Sequence, residues 1–328
     1  MNLLSLFALC DLLLGVFGFL SRPPLSRPLG VSPSAAEVLN FSLEQVARHQ
    51  TRLAQTEKEG GGSGIRDGAD SKRQSVCCPS TRVPALEDPS KYEKKGKIEE
   101  IEGVKAYIVG EPSKNAIFVI ADVFGYDSGR HFGIADQLAD EGYYVVMPDL
   151  FEGDRMTFAD LGTPRLGEFI MKFKPNVWQP LADKIYAHLA AKGAQKIGAI
   201  GFCWGCWAIF HESSRGKLAC GVNCHPSLRI EEMMDGDVEA LTEQVQAPML
   251  MFPCQDDPEN TQPDGSVMKI LKGKKFGDAC DCFRFGEQNH GFVSQGDLSV
   301  PATARDVEEA MKRTVAFFKG TLPVYKPV

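Results

Sequence analysis

The sequence lacks any cluster of lysine and arginine interleaved with aromatic residues, and its formal net charge is −7 with a pI near 5.5. Proteins that bind nucleic acid usually carry a concentrated basic patch. Nucleic acid is therefore excluded as an expected partner. No internal repeat is visible either. The chain is 43% hydrophobic and 24% charged, which is typical of a globular protein with a sizeable core and excludes disorder throughout.

The sequence also lacks a compact cysteine framework, because its ten cysteines are scattered through apolar runs. This distribution predicts free thiols in a reducing compartment. Cys280 and Cys282 would lie on the same face of a strand, and no second ligand pair stands at short spacing beside any cysteine pair. Packing in the core is therefore favoured over zinc binding for these two residues.

The apolar run at residues 1–20 lacks the basic flank of a secretory signal peptide. It is long enough to cross a bilayer if Asp11 is tolerated. A signal or membrane anchor, the start of an organelle-targeting extension and an artefact of start-codon choice all stay open. Membrane contact is expected only if residues 2–20 act as an anchor, and otherwise we expect the protein in the cytoplasm.

The remainder of the chain divides into a linker and one folded domain. Residues 21–75 are rich in proline, serine, glycine and charge, which predicts a largely disordered linker. Dense apolar runs then continue to the C-terminus without a second break, so residues 76–328 are predicted to form a single catalytic domain.

Within this domain, short apolar runs alternate with stretches of helical spacing. The alternating pattern from Ile98 to Val109, with a turn near Gly103, predicts an antiparallel hairpin at a sheet edge. Buried strands are predicted at residues 116–123, 143–150, 196–202, 219–224, 248–253 and 280–285. Helices are predicted at residues 133–141, 178–192, 206–212, 265–271 and 307–319. This order predicts an α/β fold of the α/β-hydrolase type, a mostly parallel central sheet with helices on both faces.

A G-x-C-x-G motif centred on Cys203 follows one predicted strand and precedes a helix, which is the context of a nucleophile elbow. Side chains at Gly201 and Gly205 would collide in so sharp a turn, which explains the two glycines. The helix N-terminus beyond the turn favours a thiolate. Two alternatives stay open: a buried strand-end cysteine, and a thioredoxin-like redox pair of Cys203 and Cys206 in C-x-x-C spacing.

An acid and a base follow in the order that α/β-hydrolases use. Asp256 and Asp257 come after the predicted strand 248–253, and His290 comes after the strand 280–285. His290 would take the thiol proton and later give it to the leaving group, while an aspartate orients the imidazole. We prefer Asp256 for that role. The alternative to a catalytic role is that the two aspartates only form a turn and that His290 only lies in a surface loop.

A second group of candidates surrounds the predicted thiol. The backbone N–H groups of Val123 and Trp204 are the expected oxyanion donors. A carboxylate on Asp122, beside the thiol, would restrain its ionisation until substrate arrives. Phe124 and His225 are predicted to line the substrate pocket.

Taken together, these motifs resemble the dienelactone hydrolase family, and specifically its eukaryotic branch, from about residue 76 to the C-terminus. The resemblance rests on C-C-P at 77–79, D-x-F-G at 122–125, E-G-Y-x-V-x-x-P-D-L-F at 141–151, the elbow at 201–205, H-P-S at 225–227 and H-G-F at 290–292.

The resemblance implies hydrolysis of an ester or lactone bond of a small molecule through an acyl-thioester intermediate. It also implies no metal and no organic cofactor, and a monomer or small homo-oligomer. By position, Cys203, Asp256 and His290 match the family's triad, and Asp122 stands where the bacterial enzymes have a glutamate that contacts the thiol.

The chain departs from the family at Ser294 and Gln295. Members that act on dienelactone carry an arginine at one of these positions, which grips the substrate carboxylate. Dienelactone itself as a substrate is thereby put in doubt. Arg130, Arg155 and Arg165 are candidates to replace the lost charge.

Two rival functions stay open beside the cysteine hydrolase. A thiol-redox protein using Cys203 and Cys206 predicts that Cys206→Ser destroys activity, which a hydrolase should tolerate. A non-catalytic binding protein on the same fold predicts that mutation of Cys203 leaves its biological role intact.

Overall fold

The computed structural model describes residues 91–323. The predicted N-terminal segment 1–20, the linker 21–75 and the C-C-P motif lie outside the described residues, so their assignments stay predictions. Among the described helices, none is both long enough and apolar enough to cross a membrane.

Eight strands form one mostly parallel sheet in this part of the chain, in the order β1-β2-β4-β3-β5-β6-β7-β8. Strands β1 and β2 run antiparallel to their neighbours, and all the other pairs are parallel. The strands are β1 (Lys97–Ile101), β2 (Val104–Val109), β3 (Asn115–Ile120), β4 (Tyr144–Pro148), β5 (Lys196–Phe202), β6 (Cys220–Cys224), β7 (Met249–Phe252) and β8 (Asp281–Cys282).

The predicted edge hairpin is confirmed as β1 and β2. Its two-residue turn consists of Glu102 at φ 48° and Gly103 at φ 84°. Positive φ at both central residues suits a turn whose twist matches that of the strands, and glycine adopts it without strain. The turn pairs Ile101 with Val104 and so fixes the register of the hairpin.

Helices connect the strands, as the alternating pattern predicted. They are α1 (His131–Asp140), α2 (Pro164–Lys172), α3 (Pro175–Ala191), α4 (Trp204–Ser214), α5 (Ile230–Met233), α6 (Val238–Gln244), α7 (Ser266–Lys272), α8 (Phe292–Gln295) and α9 (Pro301–Thr321). Short 3₁₀ turns lie at Phe158–Asp160, Glu259–Thr261 and Gly277–Ala279.

Both faces of the sheet are covered. Along β3, Ile117 and Val119 pack with the apolar side chains of α1 and α9. Phe118 and Ile120 point to the opposite face, where α2, α3, α4, α6 and α7 pack. Alternating strand residues face opposite sides of a sheet, so a strand buried on both faces is apolar throughout. The prediction of an α/β fold with a mostly parallel, doubly covered sheet is confirmed.

Two details differ from the prediction. The strand predicted at 280–285 is regular only over β8, and its pairing resumes as an isolated bridge between Cys254 and Phe285. Helices α2 and α6 and the one-turn helices α5 and α8 were not predicted. The two longer ones carry a start signal in the sequence, because Pro164 occupies the first turn of α2 and the Asp237 carboxylate caps α6 by accepting the Ala240 N–H at 2.7 Å.

Candidate active site

The candidate nucleophile lies at a strained turn between β5 and α4. Cys203 has φ 52° and ψ −109°, a conformation that side-chain-bearing residues rarely adopt. Its backbone N–H donates to the carbonyl oxygen of Cys224 at 3.1 Å, and its own carbonyl accepts from the Cys206 N–H at 3.1 Å. The strand-turn-helix elbow predicted around Cys203 is therefore the observed backbone geometry.

The two glycines of the motif are required by close backbone contacts. A Cβ on Gly201 would lie 2.5 Å from the carbonyl oxygen of Gly205. A Cβ on Gly205 would lie 2.2 Å from the carbonyl oxygen of Ile120, at the end of β3. The backbone at the start of α4 thus packs closely against the end of β3. The second oxyanion donor was predicted just after this end of β3.

Gly205→Ala should lower the free energy of unfolding by about 3 kcal/mol or more, because the backbone must move to accept the methyl group. Gly167 in α2 is the matched control, since a Cβ added there would meet no atom within 4 Å. Gly167→Ala should raise stability by about 0.5–1 kcal/mol, as alanine does in helices. Urea unfolding of both variants makes the comparison. Equal stability changes would contradict the close approach at the elbow.

A line of polar side chains runs from the thiol to a carboxylate. Cys203 Sγ lies 3.2 Å from Ser227 Oγ, which lies 3.4 Å from His290 Nε2. On the other side of the ring, His290 Nδ1 lies 2.5 Å from Asp257 Oδ1. All four side chains are buried. They come from the carboxyl ends of β5, β6 and β7 and from the loop after β8, the edge where parallel α/β sheets bind ligands.

The carboxylate that lies beside the imidazole is Asp257, and not Asp256, which was preferred from the sequence. Asp256 Oδ1 accepts the backbone N–H of His290 at 2.8 Å and therefore holds the main chain of the loop. Asp257 is turned toward the ring because its second oxygen accepts the Cys254 N–H at 2.7 Å. Cys254 also forms a side-chain hydrogen bond with Asp257, so Cys254 holds the carboxylate in its orientation toward the ring.

The electrostatics of the imidazole favour its protonated form. Burial lowers the pKa of His290, but the charges of Asp257 and Cys203 and the hydrogen bonds with both side chains outweigh it. The pKa of His290 therefore lies well above its ordinary value. A neutral imidazole with so raised a pKa is a strong base, which can accept the proton of the thiol and hold it.

Asp122 is buried at the end of β3, in a network of its own. Its Oδ2 accepts from Ser294 Oγ and from Gln295 Nε2, each at 2.8 Å, and its Oδ1 accepts the Phe124 N–H at 3.0 Å. Burial raises the pKa of Asp122, and the neighbouring Cys203 raises it further. The carboxylate and the thiol thus repel each other as anions, which is the basis of the predicted restraint on thiol ionisation.

The three arginines considered as replacements for the missing charge have other partners. The buried Arg130 guanidinium donates to three carbonyl oxygens of residues 292–296, at and just after α8. Arg155 and Arg165 are about half exposed and pair with aspartates at 2.6 and 3.2 Å. In this structure Arg130 is therefore used to anchor the loop that follows His290.

The remaining predicted residues surround this line. The His225 ring is wholly buried and packs edge-on against His290, with ring centroids 5.0 Å apart, instead of facing an open pocket. Burial first, and then the charge of His290, lower the pKa of His225 well below its usual range. Phe124 packs against Phe158 with centroids 4.5 Å apart. Their contact with substrate stays a prediction.

The oxyanion donors stay a prediction as well. Trp204 is the first residue of α4, whose first N–H groups have no partner within the helix. The two residues next to Val123 in the chain form local backbone hydrogen bonds. The Val123 carbonyl accepts the Met156 N–H at 2.9 Å.

Cys206 has the environment of a structural thiol. It is fully buried, and its Sγ donates to the carbonyl oxygens of Gly201 at 3.2 Å and Cys224 at 3.3 Å. Burial raises the pKa of the Cys206 thiol well above its ordinary value. No cysteine between residues 91 and 323 forms a disulfide. Reactive redox thiols are exposed and have lowered pKa values, so the geometry opposes a C-x-x-C redox pair.

Two site residues were missed from the sequence. Ser227 belongs to the H-P-S motif, but no chemistry was assigned to its hydroxyl, and Cys254 was counted only among the ten scattered cysteines. A position directly after a strand that faces the elbow was the available signal for both. Over the described residues, no group of three or more histidine, cysteine or acidic side chains is arranged to hold a metal ion.

Comparisons with known proteins identify the family to which this chain belongs. An uncharacterized AIM2 family protein of Schizosaccharomyces pombe is 28% identical over 75% of this chain and 99% of its own length. The carboxymethylenebutenolidase homolog of Rattus norvegicus is 27% identical over 66% of this chain and 87% of its own length. A solved structure from Klebsiella pneumoniae subsp. pneumoniae, assigned to the dienelactone hydrolases, shares the fold with a TM-score of 0.52 at 17% identity, covering 68% of this chain and 97% of that one. The family model of the dienelactone hydrolases matches residues 104–322, and the chain belongs to that family.

Proposed function

We propose that this protein hydrolyses an ester or lactone bond of a small molecule, with Cys203 as nucleophile, His290 as base and acid, and Asp257 as the residue that orients the imidazole. The chain is a hydrolase of the dienelactone hydrolase type. The observation that carries the finer proposal is the buried line of side chains from Cys203 through His290 to Asp257 at a strained elbow.

The first half of the reaction transfers the acyl group to sulfur. His290 Nε2 takes the thiol proton, and the thiolate attacks the carbonyl carbon while the carbonyl electron pair moves to oxygen. The N–H groups of Val123 and Trp204 would hold that oxyanion. Collapse of the tetrahedral intermediate expels the alkoxide, which takes the proton from His290 and leaves a thioester on Cys203.

The second half returns the enzyme to its starting state. A water molecule attacks the thioester carbonyl and gives a proton to His290 Nε2. Collapse then expels the thiolate, which recovers its proton from the imidazole, and the carboxylic acid leaves. Asp257 accepts the Nδ1–H throughout, which keeps Nε2 facing the sulfur.

The surroundings favour an uncharged acyl group. Ser294 and Gln295, which stand at the positions of the family's substrate-binding arginine, are both used to bind the buried Asp122. A substrate carboxylate beside Asp122 would meet a like charge, and Arg130 is engaged with backbone carbonyls. A relative named for carboxymethylenebutenolide therefore supports the reaction type and not that particular substrate.

The test is capture of the thioester. Purified protein is mixed with p-nitrophenyl acetate and quenched in acid, and the intact and digested masses are measured. We expect one acetyl group on the peptide that contains Cys203, together with turnover of uncharged esters or lactones in a panel that also contains dienelactone. Turnover without an adduct on Cys203 in any quench, or an adduct confined to another residue, would refute the proposed mechanism.

A further inference from the structure

We infer that Ser227 is a catalytic residue whose hydroxyl binds both the Cys203 sulfur and the His290 imidazole and stabilises them as a thiolate and an imidazolium. This inference rests on the proposed function, because it assigns a role within the same thiol reaction. It starts from the two contacts of one hydroxyl, 3.2 Å from the sulfur and 3.4 Å from the imidazole nitrogen.

The fold places this hydroxyl with its own set of restraints. His225, at φ 44°, turns the chain sharply after β6. The backbone N–H of Ser227 then donates to the carbonyl oxygen of Cys203 at 3.2 Å, so the serine is tied to the elbow itself. The Ser227 carbonyl accepts the Ile230 N–H at 3.2 Å, at the start of α5.

Helix α5 is in turn braced against α4. One carboxylate oxygen of Glu231 accepts from Trp207 Nε1 at 2.7 Å and lies 2.8 Å from His211 Nε2. Both of those residues belong to α4, the helix that begins directly after Cys203. The loop that carries Ser227 is therefore held to the elbow at both ends, which fixes the distance between hydroxyl and sulfur.

The hydroxyl can satisfy both protonation states of the pair. Before transfer, the thiol donates to Ser227 Oγ, and the Ser227 O–H donates to His290 Nε2. After transfer, the Ser227 O–H donates to the thiolate, and its oxygen accepts from the Nε2–H of the imidazolium. The thiol has lost one proton and the imidazole has gained one, while the serine is unchanged.

The Ser227 hydroxyl stabilises the thiolate and imidazolium state more than the neutral thiol and imidazole state. Its two hydrogen bonds involve a thiolate and an imidazolium, and charge-assisted hydrogen bonds are about twice as strong as neutral ones. Removal of the hydroxyl should therefore shift the pair toward the neutral thiol and imidazole. His290 also bonds directly to Cys203, so the pair itself would persist in a serine variant.

Other titratable groups face the pair and are common to every variant compared. They are Asp122 after β3, Cys206 in α4, His225 after β6, and Asp256 and Asp257 after β7.

The test is a pH titration of thiolate absorbance in the ultraviolet, taken as the difference between each protein and its counterpart with Cys203→Ala. This measurement needs no substrate and no reagent that must enter the buried site. For Ser227→Ala we expect the thiolate-to-thiol ratio at about pH 6 to fall about tenfold, the loss expected for one charge-assisted hydrogen bond. Ser227→Gly should behave alike, and Ser227→Thr should restore part of the ratio.

Ser213→Ala is the matched control, because Ser213 is a second buried serine, located in α4, and its hydroxyl accepts the Gln246 N–H at 3.2 Å, away from the thiol. Its titration should overlay the wild type. A Ser227→Ala or Ser227→Gly titration that also overlays the wild type would overturn the inference. If the wild type hydrolyses no ester while these titrations differ as expected, the proposed function fails and the role of Ser227 in stabilising the thiolate stands.

Discussion

Asp257→Asn is expected to lower kcat/KM for an ester substrate by roughly 10³–10⁴-fold, because the imidazole would lose the carboxylate that selects its tautomer. Asp257 Oδ1 lies 2.5 Å from His290 Nδ1 and keeps the Nδ1 proton in place. An asparagine amide could instead donate to Nδ1, which would move the ring proton to Nε2. A ring protonated at Nε2 without a positive charge cannot accept the proton of Cys203.

Asp256→Asn is the matched control, since the two aspartates are adjacent and both bind His290, the exposed Asp256 at its backbone and the buried Asp257 at its ring. Asp256 Oδ1 accepts the backbone N–H of His290, and the asparagine oxygen can accept the same hydrogen bond. We expect its kcat/KM to fall less than about tenfold. Steady-state kinetics on one uncharged p-nitrophenyl ester compares the variants, and circular dichroism checks their folding. A larger loss for Asp256→Asn would mean that the acid assignment from the sequence was right.

The sequence predicts the position of the acid in the fold but does not determine which of the two aspartates faces the His290 ring. The order of nucleophile, acid and histidine along the chain placed each candidate after the correct strand, because the fold dictates which strand ends are neighbours. It could not decide which of two adjacent side chains faces the ring. That depends on one local turn, in which the Cys254 N–H binds Asp257 and thereby leaves Asp256 to the backbone of His290.

Most strands could be predicted, because strands buried on both faces are continuous apolar runs. Strand β8 was predicted too long, since an apolar run does not show where regular pairing stops. Helix α2 was missed although Leu166, Phe169 and Ile170 follow helical spacing, because the stretch before it is rich in turn residues.

Ser227 and the network of Asp122 depend on three-dimensional proximity across long sequence separations. Ser294 and Gln295 reach Asp122 over more than 170 residues of chain, with separations of 172 and 173. From the sequence, Ser294 and Gln295 could be recognised only as residues that stand where relatives have an arginine. The structure gives them a positive role, since they satisfy a buried carboxylate that would otherwise be costly.

Cys203→Ala is expected to abolish turnover, with a loss of roughly 10⁴-fold or more, because the thiolate forms the covalent bond in the proposed reaction. The remaining rate would come from binding and from the oxyanion donors alone. The substitution should leave the fold intact, since alanine keeps the Cβ at this strained position and removes only the sulfur. Initial rates on the ester panel, normalised to folded protein, provide the measurement.

Cys206→Ala separates this chemistry from a redox function. Cys206 donates to two backbone carbonyls from within α4, so its loss should cost about 1–2 kcal/mol of stability. Hydrolysis should stay within about threefold of the wild type, because Cys206 contacts neither His290 nor Asp257 in the line of catalytic side chains. A redox pair would require the opposite result, equal losses in Cys203→Ala and Cys206→Ala and a disulfide between them under oxidising conditions. Since the Cys206 sulfur is fully buried and its pKa is raised, we expect no such disulfide to form in the folded protein.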